Sequence, residues 1–316
     1  INHMSIVRGN RGDYDRWAKL HGLSGWSYRE VLPYFRRMET WEGGADAWRG
    51  GDGPLQITRS RWEDPLFDAF VESSASHDMP FVDDLNGKNQ FGCGRGQSNI
   101  YKGMRYGAAT AFLKPALARG NVTLVTRAHA TRILMDGTRA TGIEYRRGGK
   151  RRNARAVREV ILSGGVFNSP QLLMLSGIGP ADHLASHGIT PVIDHPGIGR
   201  NLQDHLAVAV QGSRKTPGAF QRELRFDRMT VSVLRAFLMG DGPATVLPGG
   251  MHGYVRTQSG LDVPDIQLMF RGVSAHPHLW FPGVRKPHPD RFGVRPILIH
   301  PESRGWIELR SADPFD

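Results

Sequence analysis

Residues 161–179 contain the residue types of a turn that contacts a nucleotide. An apolar run leads into Ser163, Gly164 and Gly165, and an apolar helical pattern follows that Gly177 closes. Because glycines carry no side chain, backbone N–H groups at such a strand-to-helix turn can approach a phosphate or a ribose closely. The same pattern fits a tight crossover whose glycines serve packing, so these residues alone leave both interpretations open.

Several histidines could in principle ligate a metal ion. His276 and His278 form a His-x-His pair, and His288 and His300 follow later in the chain. Zinc sites usually combine histidine with cysteine or with a positioned carboxylate. Prolines surround these histidines and no such partner accompanies them, so the sequence predicts no metal site.

Helices and strands have to position the glycine turn. Residues 159–162 are apolar enough for a buried strand that ends at the turn. Asp136-Gly137 is typical of a hairpin turn, and Asp64 precedes Pro65 as the cap of a helix would. The predicted elements in chain order are helices over 14–20, 28–38, 64–71 and 108–118, a strand over 122–125, hairpin arms over 131–135 and 140–145, the strand over 159–162 and a helix over 169–175.

Beyond His205 the apolar residues occur in short, separated stretches. This pattern favours a mostly antiparallel sheet around one helix, with a domain boundary near residue 207. The stretches are 206–210, 266–270, 297–299 and 306–309, and the helical segment is 229–239.

Composition limits the class of protein. With 316 residues, of which 39% are hydrophobic, the chain can bury a sizeable core. Its single cysteine, Cys93, excludes an internal disulfide and favours a reducing, cytoplasmic setting, with attachment to a membrane surface left open. No apolar run approaches the ~20 residues of a membrane-spanning helix.

The formal net charge of +11 raises the question of nucleic-acid binding. The densest basic stretch, residues 146–155, contains glycines and lies between apolar runs, so we interpret it as a solvated turn. No aromatic residues alternate with its charges, as a single-strand-binding surface would require. We therefore expect no nucleic-acid partner.

Several segments resemble, in order, the motifs of the glucose-methanol-choline (GMC) oxidoreductases, with most likeness to the choline-dehydrogenase-like branch. One departure is Val166, where the family usually has a smaller residue. The matching segments are 1–4, 8–9, 13–17, 26–28, 33–35, 50–54, 84–92, 105–115, 161–179 and 196–205.

The resemblance implies an α/β fold of the FAD/NAD(P)-binding type, incomplete here, with a mostly antiparallel-sheet substrate domain. Residues 1–207 would belong to the FAD-binding domain and residues 208–316 to the substrate-binding domain. It also implies an FAD-dependent enzyme that oxidises the CH–OH group of a small alcohol by hydride transfer to flavin N5. The electron acceptor stays unassigned.

Cofactor contacts carry over position by position. Asn2, His3 and Met4 match residues that lie along the isoalloxazine ring. Ala130 matches a position whose backbone contacts the adenine, and the small residues Ser163, Gly164 and Gly165 would lie near the ribose or adenine. Ile1 stands where some members have a histidine bonded to the flavin, so we expect noncovalent FAD.

Two parts of the family's machinery have no match in the sequence. None of the glycine clusters has the G-x-G-x-x-G spacing that holds a pyrophosphate. The family's catalytic histidine and its His or Asn partner belong to a C-terminal segment. We therefore expect an internal fragment, assign no residue as the catalytic base, and keep a noncatalytic flavin- or nucleotide-binding fragment as the alternative.

Overall fold

The structure is a computed structural model that describes residues 4–246, 249–274 and 276–316. Its contacts divide the chain into two compact units. Unit 1 comprises Ile1–Val122 and His205–His300, and unit 2 comprises Thr123–Asp204 and Pro301–Asp316. This division follows contacts between residues, and the predicted functional boundary near residue 207 stays a prediction.

Unit 1 combines helices with antiparallel strands. Its helices are α1 (Arg11–His21), α2 (Tyr28–Met38), α3 (Pro65–Ala75), α4 (Lys114–Ala118), α7 (Ala219–Glu223) and α8 (Phe226–Met239). Its strands are β1 (Glu39–Trp41), β2 (Leu55–Arg59), β3 (Gly92–Arg95), β4 (Gln97–Ser98), β5 (Ile100–Tyr101), β6 (Met104–Arg105), β13 (Leu206–Ala207), β14 (Val210–Ser213), β15 (Gly249–Val255), β16 (Ile266–Arg271) and β17 (Arg291–Leu298).

A six-stranded sheet is the largest element of unit 1. Its order is β13-β17-β16-β15-β3, with β14 also paired to β17, and every pairing is antiparallel. Most of its strands come from residues after 205, which confirms the predicted antiparallel sheet there. Beneath it Trp62, Phe67, Met251 and Phe270 form a buried apolar cluster.

A smaller sheet joins β1, β2 and β4, and it covers a second buried cluster of Trp41, Leu55, Ile57 and Ala111. The pairing of β1 with β2 is parallel and that of β2 with β4 is antiparallel. This sheet brings Gln97 of β4 close to the loops around residues 49 and 84.

Helix α3 begins as the sequence predicts. The Asp64 carboxylate accepts a hydrogen bond of 3.0 Å from the Leu66 N–H, and Pro65 occupies the first helical position. The same carboxylate, 5% exposed, receives both terminal nitrogens of Arg214 at 2.9–3.1 Å. One buried side chain therefore caps a helix and joins it to a segment 150 residues later.

Unit 2 has its own small core of Met174, Leu175, Leu184, Ile189 and Leu309. Its elements are β7 (His129–Asp136), β8 (Arg139–Arg147), β9 (Lys150–Arg155), α5 (Gly165–Leu175), β10 (Ile178–Gly179), α6 (Ala181–Ser186), β11 (Ile193–Asp194), β12 (Arg200–Leu202) and β18 (Gly305–Trp306). Its sheets are the antiparallel meander β7-β8-β9 and the pairs β10-β11 and β12-β18.

The hairpin prediction is confirmed, since Asp136 pairs with Arg139 and Gly137 has φ +54° at the turn. The predicted strands over 122–125 and 159–162 are wrong, because neither segment forms a strand. Leu124 is 51% exposed and Ile161 is 77% exposed. A strand requires a neighbour for its backbone groups, and no described strand pairs with either segment.

We predict that Asp64→Asn lowers the free energy of unfolding by about 3 kcal/mol, because the variant leaves the buried Arg214 guanidinium short of its main counter-charge. Asparagine retains the ability to cap α3, so the loss of unfolding free energy measures the effect of the missing charge. Denaturant-induced unfolding measures it.

The control is Asp83→Asn, which breaks an ion pair of 2.5 Å with Arg59 whose carboxylate side is 77% exposed. Exposed pairs contribute under about 1 kcal/mol, so this variant should unfold almost as the parent does. Equal losses in the two variants would contradict the assigned role of Asp64.

Candidate functional site

The glycine turn before α5 has the open geometry expected of a nucleotide contact. Gly165 has φ +86°, and no other atom lies within 4 Å of where a Cβ would stand. A Cβ on Gly164 would stand 3.1 Å from the Asn168 Cβ, so a side chain there would require its neighbour to shift by a few tenths of an ångström. The Ser169 hydroxyl accepts a 3.0 Å hydrogen bond from the Gly164 N–H and fixes the turn.

Beside this turn lies a cleft of about 330 Å³. Ala130 and Gly164, both predicted cofactor contacts, line it, whereas Ser163 is exposed and does not. The remaining lining residues are Ala128, His129, Leu162, Asn168, Ser169, Gln171, Leu172, Leu175 and Pro314. Since α5 has no side-chain cap, N–H groups of its first turn remain available to an acceptor. This arrangement fits the adenosine end of a dinucleotide.

Asn2 and His3 lie outside the described residues. Met4 is described, belongs to unit 1 and has φ +67°, which is uncommon for a residue with a side chain. Its carbonyl accepts a 3.0 Å hydrogen bond from the Asn99 N–H. Asn86 binds the same segment twice, donating to the Ile6 carbonyl at 3.0 Å and accepting from the Arg8 N–H at 2.8 Å. Residues 4–8 are therefore held by both backbone and side-chain contacts.

A buried charge network supports that segment. Glu39 is fully buried, and its Oε1 receives Arg8 Nη2 at 2.5 Å and Arg49 Nε at 2.7 Å. Arg49 also donates to Asp84 Oδ1 at 2.6 Å, and its guanidinium stacks 4.1 Å from the Trp41 ring centroid. Burial lowers the pKa of Arg8, and the neighbouring Glu39 partly opposes the shift. These contacts hold Arg8 in place, and with it the path of the backbone that follows Met4.

A second cavity, of about 820 Å³, lies wholly within unit 1. The end of β2, the segment 96–103 and the start of β15 line it. His252 of β15 contributes a buried imidazole, and Ser60 and Trp62 also line the cavity. Burial, helped by the positive charge of Arg271, lowers the pKa of His252 to about 4, so the ring is neutral at pH 7.

Sequence patterns did not indicate this cavity. An isolated histidine in a strand gives no motif, and for Trp62 the sequence favours core or lid packing over a place in an apolar or quaternary-ammonium pocket. The nearest available signal was the glycine at position 96, whose missing side chain leaves space beside the His252 ring. A Cβ there would stand 3.4 Å from Nε2.

The other candidates from the sequence have structural roles. His300 binds Asp13 at 2.8 Å, and the rings of His278 and His288 meet edge to face. Among the described residues no group of three or more His, Cys, Asp or Glu side chains could hold a metal ion. The basic stretch forms the exposed β8–β9 hairpin, which turns at two positive-φ glycines.

We predict that acid destabilises the protein through His252. An unfolded histidine takes up a proton near pH 6.5, whereas the folded one does so only near pH 4. As pH falls between these values only the unfolded state gains the proton, so the free energy of unfolding drops, by about 3 kcal/mol at most.

The measurement is the unfolding free energy from pH 7 to pH 4 in the parent and in His252→Gln, which cannot titrate. The parent should lose more stability than the variant over this range. Parallel curves would show that His252 is not responsible.

No helix among the residues that the structure describes is long and apolar enough to cross a bilayer.

The fold of this chain resembles those of known proteins. It is similar to pyridoxine 4-oxidase from Mesorbium loti (TM-score 0.80, 26% identity, 98% of this chain and 57% of that one). It is also similar to formate oxidase from Aspergillus oryzae (TM-score 0.86, 26% identity, 100% and 60%).

In sequence, the chain is 42% identical over 316 residues to the oxygen-dependent choline dehydrogenase of Brucella canis, covering 99% of this chain and 56% of that protein. It is 40% identical over 319 residues to the mitochondrial choline dehydrogenase of Mus musculus, covering 100% and 52%. The chain thus spans just over half the length of these relatives. The family model of the GMC oxidoreductases matches residues 1–207, and the chain belongs to that family.

Proposed function

We propose that this chain is part of an FAD-dependent oxidoreductase that acts on the CH–OH group of a small alcohol. Membership of the GMC family carries the proposal. The names of its relatives support it, since the similar proteins include choline dehydrogenases and the oxidases compared above. The chain's own geometry adds an open glycine turn beside a cleft of nucleotide size.

Within this proposal the predicted contacts divide between the two ends of the cofactor. Ala130, Ser163, Gly164 and Gly165 face the adenosine end, where a glycine turn without a side-chain cap offers N–H donors. Asn2, His3 and Met4 face the isoalloxazine ring. Residues 1–207 belong to the FAD-binding domain and residues 208–316 to the substrate-binding domain.

When bound, FAD supplies the acceptor for the hydride that leaves the carbinol carbon. The chain's own residues bind the FAD and orient it. Asn86 and the Asn99 backbone hold the Met4 segment, and the Arg8–Glu39–Arg49 network keeps that segment from shifting. His252 has a pKa of about 4, too low for a good proton acceptor near neutrality, so we assign it no base role.

We further propose that the FAD is noncovalent, because Ile1 has no nucleophilic side chain to bond the ring. The buried, single Cys93 supports a reducing compartment, the cytoplasm. Acid precipitation of the natural gene product should release all its flavin into the supernatant. Flavin retained in the protein pellet would overturn the noncovalent assignment.

The test of the activity uses the natural gene product, purified with its flavin. Adding alcohols anaerobically should bleach the oxidised-flavin absorption band, because hydride transfer reduces the ring. A protein that carries FAD yet is bleached by no alcohol would instead be the noncatalytic flavin- or nucleotide-binding alternative. A protein without flavin would refute the oxidoreductase and leave only a nucleotide-binding fragment.

We predict that Ala130→Phe weakens FAD binding about tenfold or more, because a phenyl ring in the cleft displaces the adenosine. Ala154→Phe is the matched control, since Ala154 lies exposed on β9 of the same sheet and outside the cleft. The dissociation constant of FAD from the reconstituted apoprotein is the measurement. Equal affinity in the two variants would remove Ala130 from the cofactor site.

A further inference from the structure

The β8–β9 hairpin of unit 2 concentrates positive charge. Residues 146–155 include six arginine or lysine side chains and no acidic one, and all six are exposed. The register places Arg146 directly opposite Arg151, and Arg147 directly opposite Lys150. Like charges that face each other across two strands are destabilising. An acidic partner would therefore stabilise this hairpin.

Little of this charge is neutralised by the chain itself. Arg151 forms an ion pair of 3.5 Å with Glu144, and its side chain stays 76% exposed. The Arg146 guanidinium lies 5.3 Å from the centroid of the Phe315 ring, a contact that supplies no counter-charge. In the part of the chain that the structure describes, the other basic side chains of the hairpin have no ionic or hydrogen-bonding partner. They are Arg147, Lys150, Arg152 and Arg155.

The same hairpin has an open backbone edge. Strand β9 is the last strand of the meander β7-β8-β9, and no described strand pairs with its other side. Directly after β9, the Ala156 N–H donates to the Thr141 carbonyl at 2.8 Å. Because hydrogen-bonded residues alternate along an antiparallel pair, the N–H and C=O groups of Arg151, Asn153 and Arg155 point away from β8. These groups form a row to which another strand can bind.

The open edge and the charge together select one kind of partner. A membrane surface or a nucleic acid can neutralise the charge, but neither offers N–H and C=O groups at the spacing of a strand. A second copy of β9 can pair with the edge, but it would place basic side chains against basic ones. An extended acidic segment of another protein satisfies both the backbone edge and the charge.

We propose that β9 is the docking edge for an extended acidic segment of a partner protein, which adds a fourth strand to the meander and places its carboxylates beside the basic side chains of β9. An exposed ion pair contributes under about 1 kcal/mol, so several pairs have to act together with the backbone hydrogen bonds. Binding should consequently weaken as salt screens the charges.

The experiment uses the natural gene product and a synthetic peptide of about ten residues that alternates glutamate with threonine, because β-branched threonine favours an extended strand. The matched peptide alternates glutamine with threonine and has no charge. Titration calorimetry gives the two dissociation constants. Hydrogen–deuterium exchange, followed by mass spectrometry, reports whether the backbone amides of β9 become protected in the complex.

We expect the glutamate peptide to bind about tenfold tighter than the glutamine peptide, and to slow the exchange of the outward amides of β9. Replacing two charges, in Arg151→Gln combined with Arg152→Gln, should weaken binding of the glutamate peptide about 3- to 10-fold. The matched control is Lys19→Gln combined with Arg29→Gln, which removes the same charge from exposed positions on α1 and α2. That variant should bind as the parent does.

Equal affinity for the two peptides, or no binding of the glutamate peptide, would overturn the proposal. Binding that leaves the exchange of β9 unchanged would also overturn it, since charge alone would then hold the peptide. An equal loss of affinity in the control variant would show attraction by the net charge of the protein instead of docking at β9. None of these measurements depends on flavin reduction, so each outcome is distinct from failure of the proposed function.

Discussion

The burial of Glu39 between two arginines is the constraint on which much of unit 1 depends. Its carboxylate meets Arg8 and Arg49 inside the protein, where an unpaired charge would be strongly destabilising. Satisfying all three charges requires residues 4–8, the start of β1 and the loop at residue 49 to meet at one point. Asp84 and Gln97 extend the network, and Asn86 joins it to the backbone of Ile6 and Arg8.

The two candidate sites use different physical means to remain open. At the turn before α5, glycines keep side chains away from the backbone, and a positive φ at Gly165 exposes N–H groups. In the cavity of unit 1, the missing side chain of Gly96 leaves space beside the His252 ring. The first suits a phosphate or ribose.

Elements governed by neighbouring residues could be predicted. The Asp136-Gly137 turn, the Asp64 cap and the helix before Gly177 each depend on contacts within a few residues. The strands predicted over 122–125 and 159–162 do not form. A strand exists only with a partner, and apolar composition alone does not supply one. Likewise, no local signal showed that Ser60 and Trp62 would share a cavity with His252, which follows almost 200 residues later.

The sequence by itself determined the family, the cofactor expected from that family and the glycine turn before α5, because these depend on residue type and short spacing. Only the tertiary structure decided which side chains share a site. It placed Ala130 beside Gly164 in one cleft, and it placed Trp62 and His252 on the lining of another. The physical reason is that hydrogen-bond satisfaction and burial depend on residues distant in the chain, which no local pattern records.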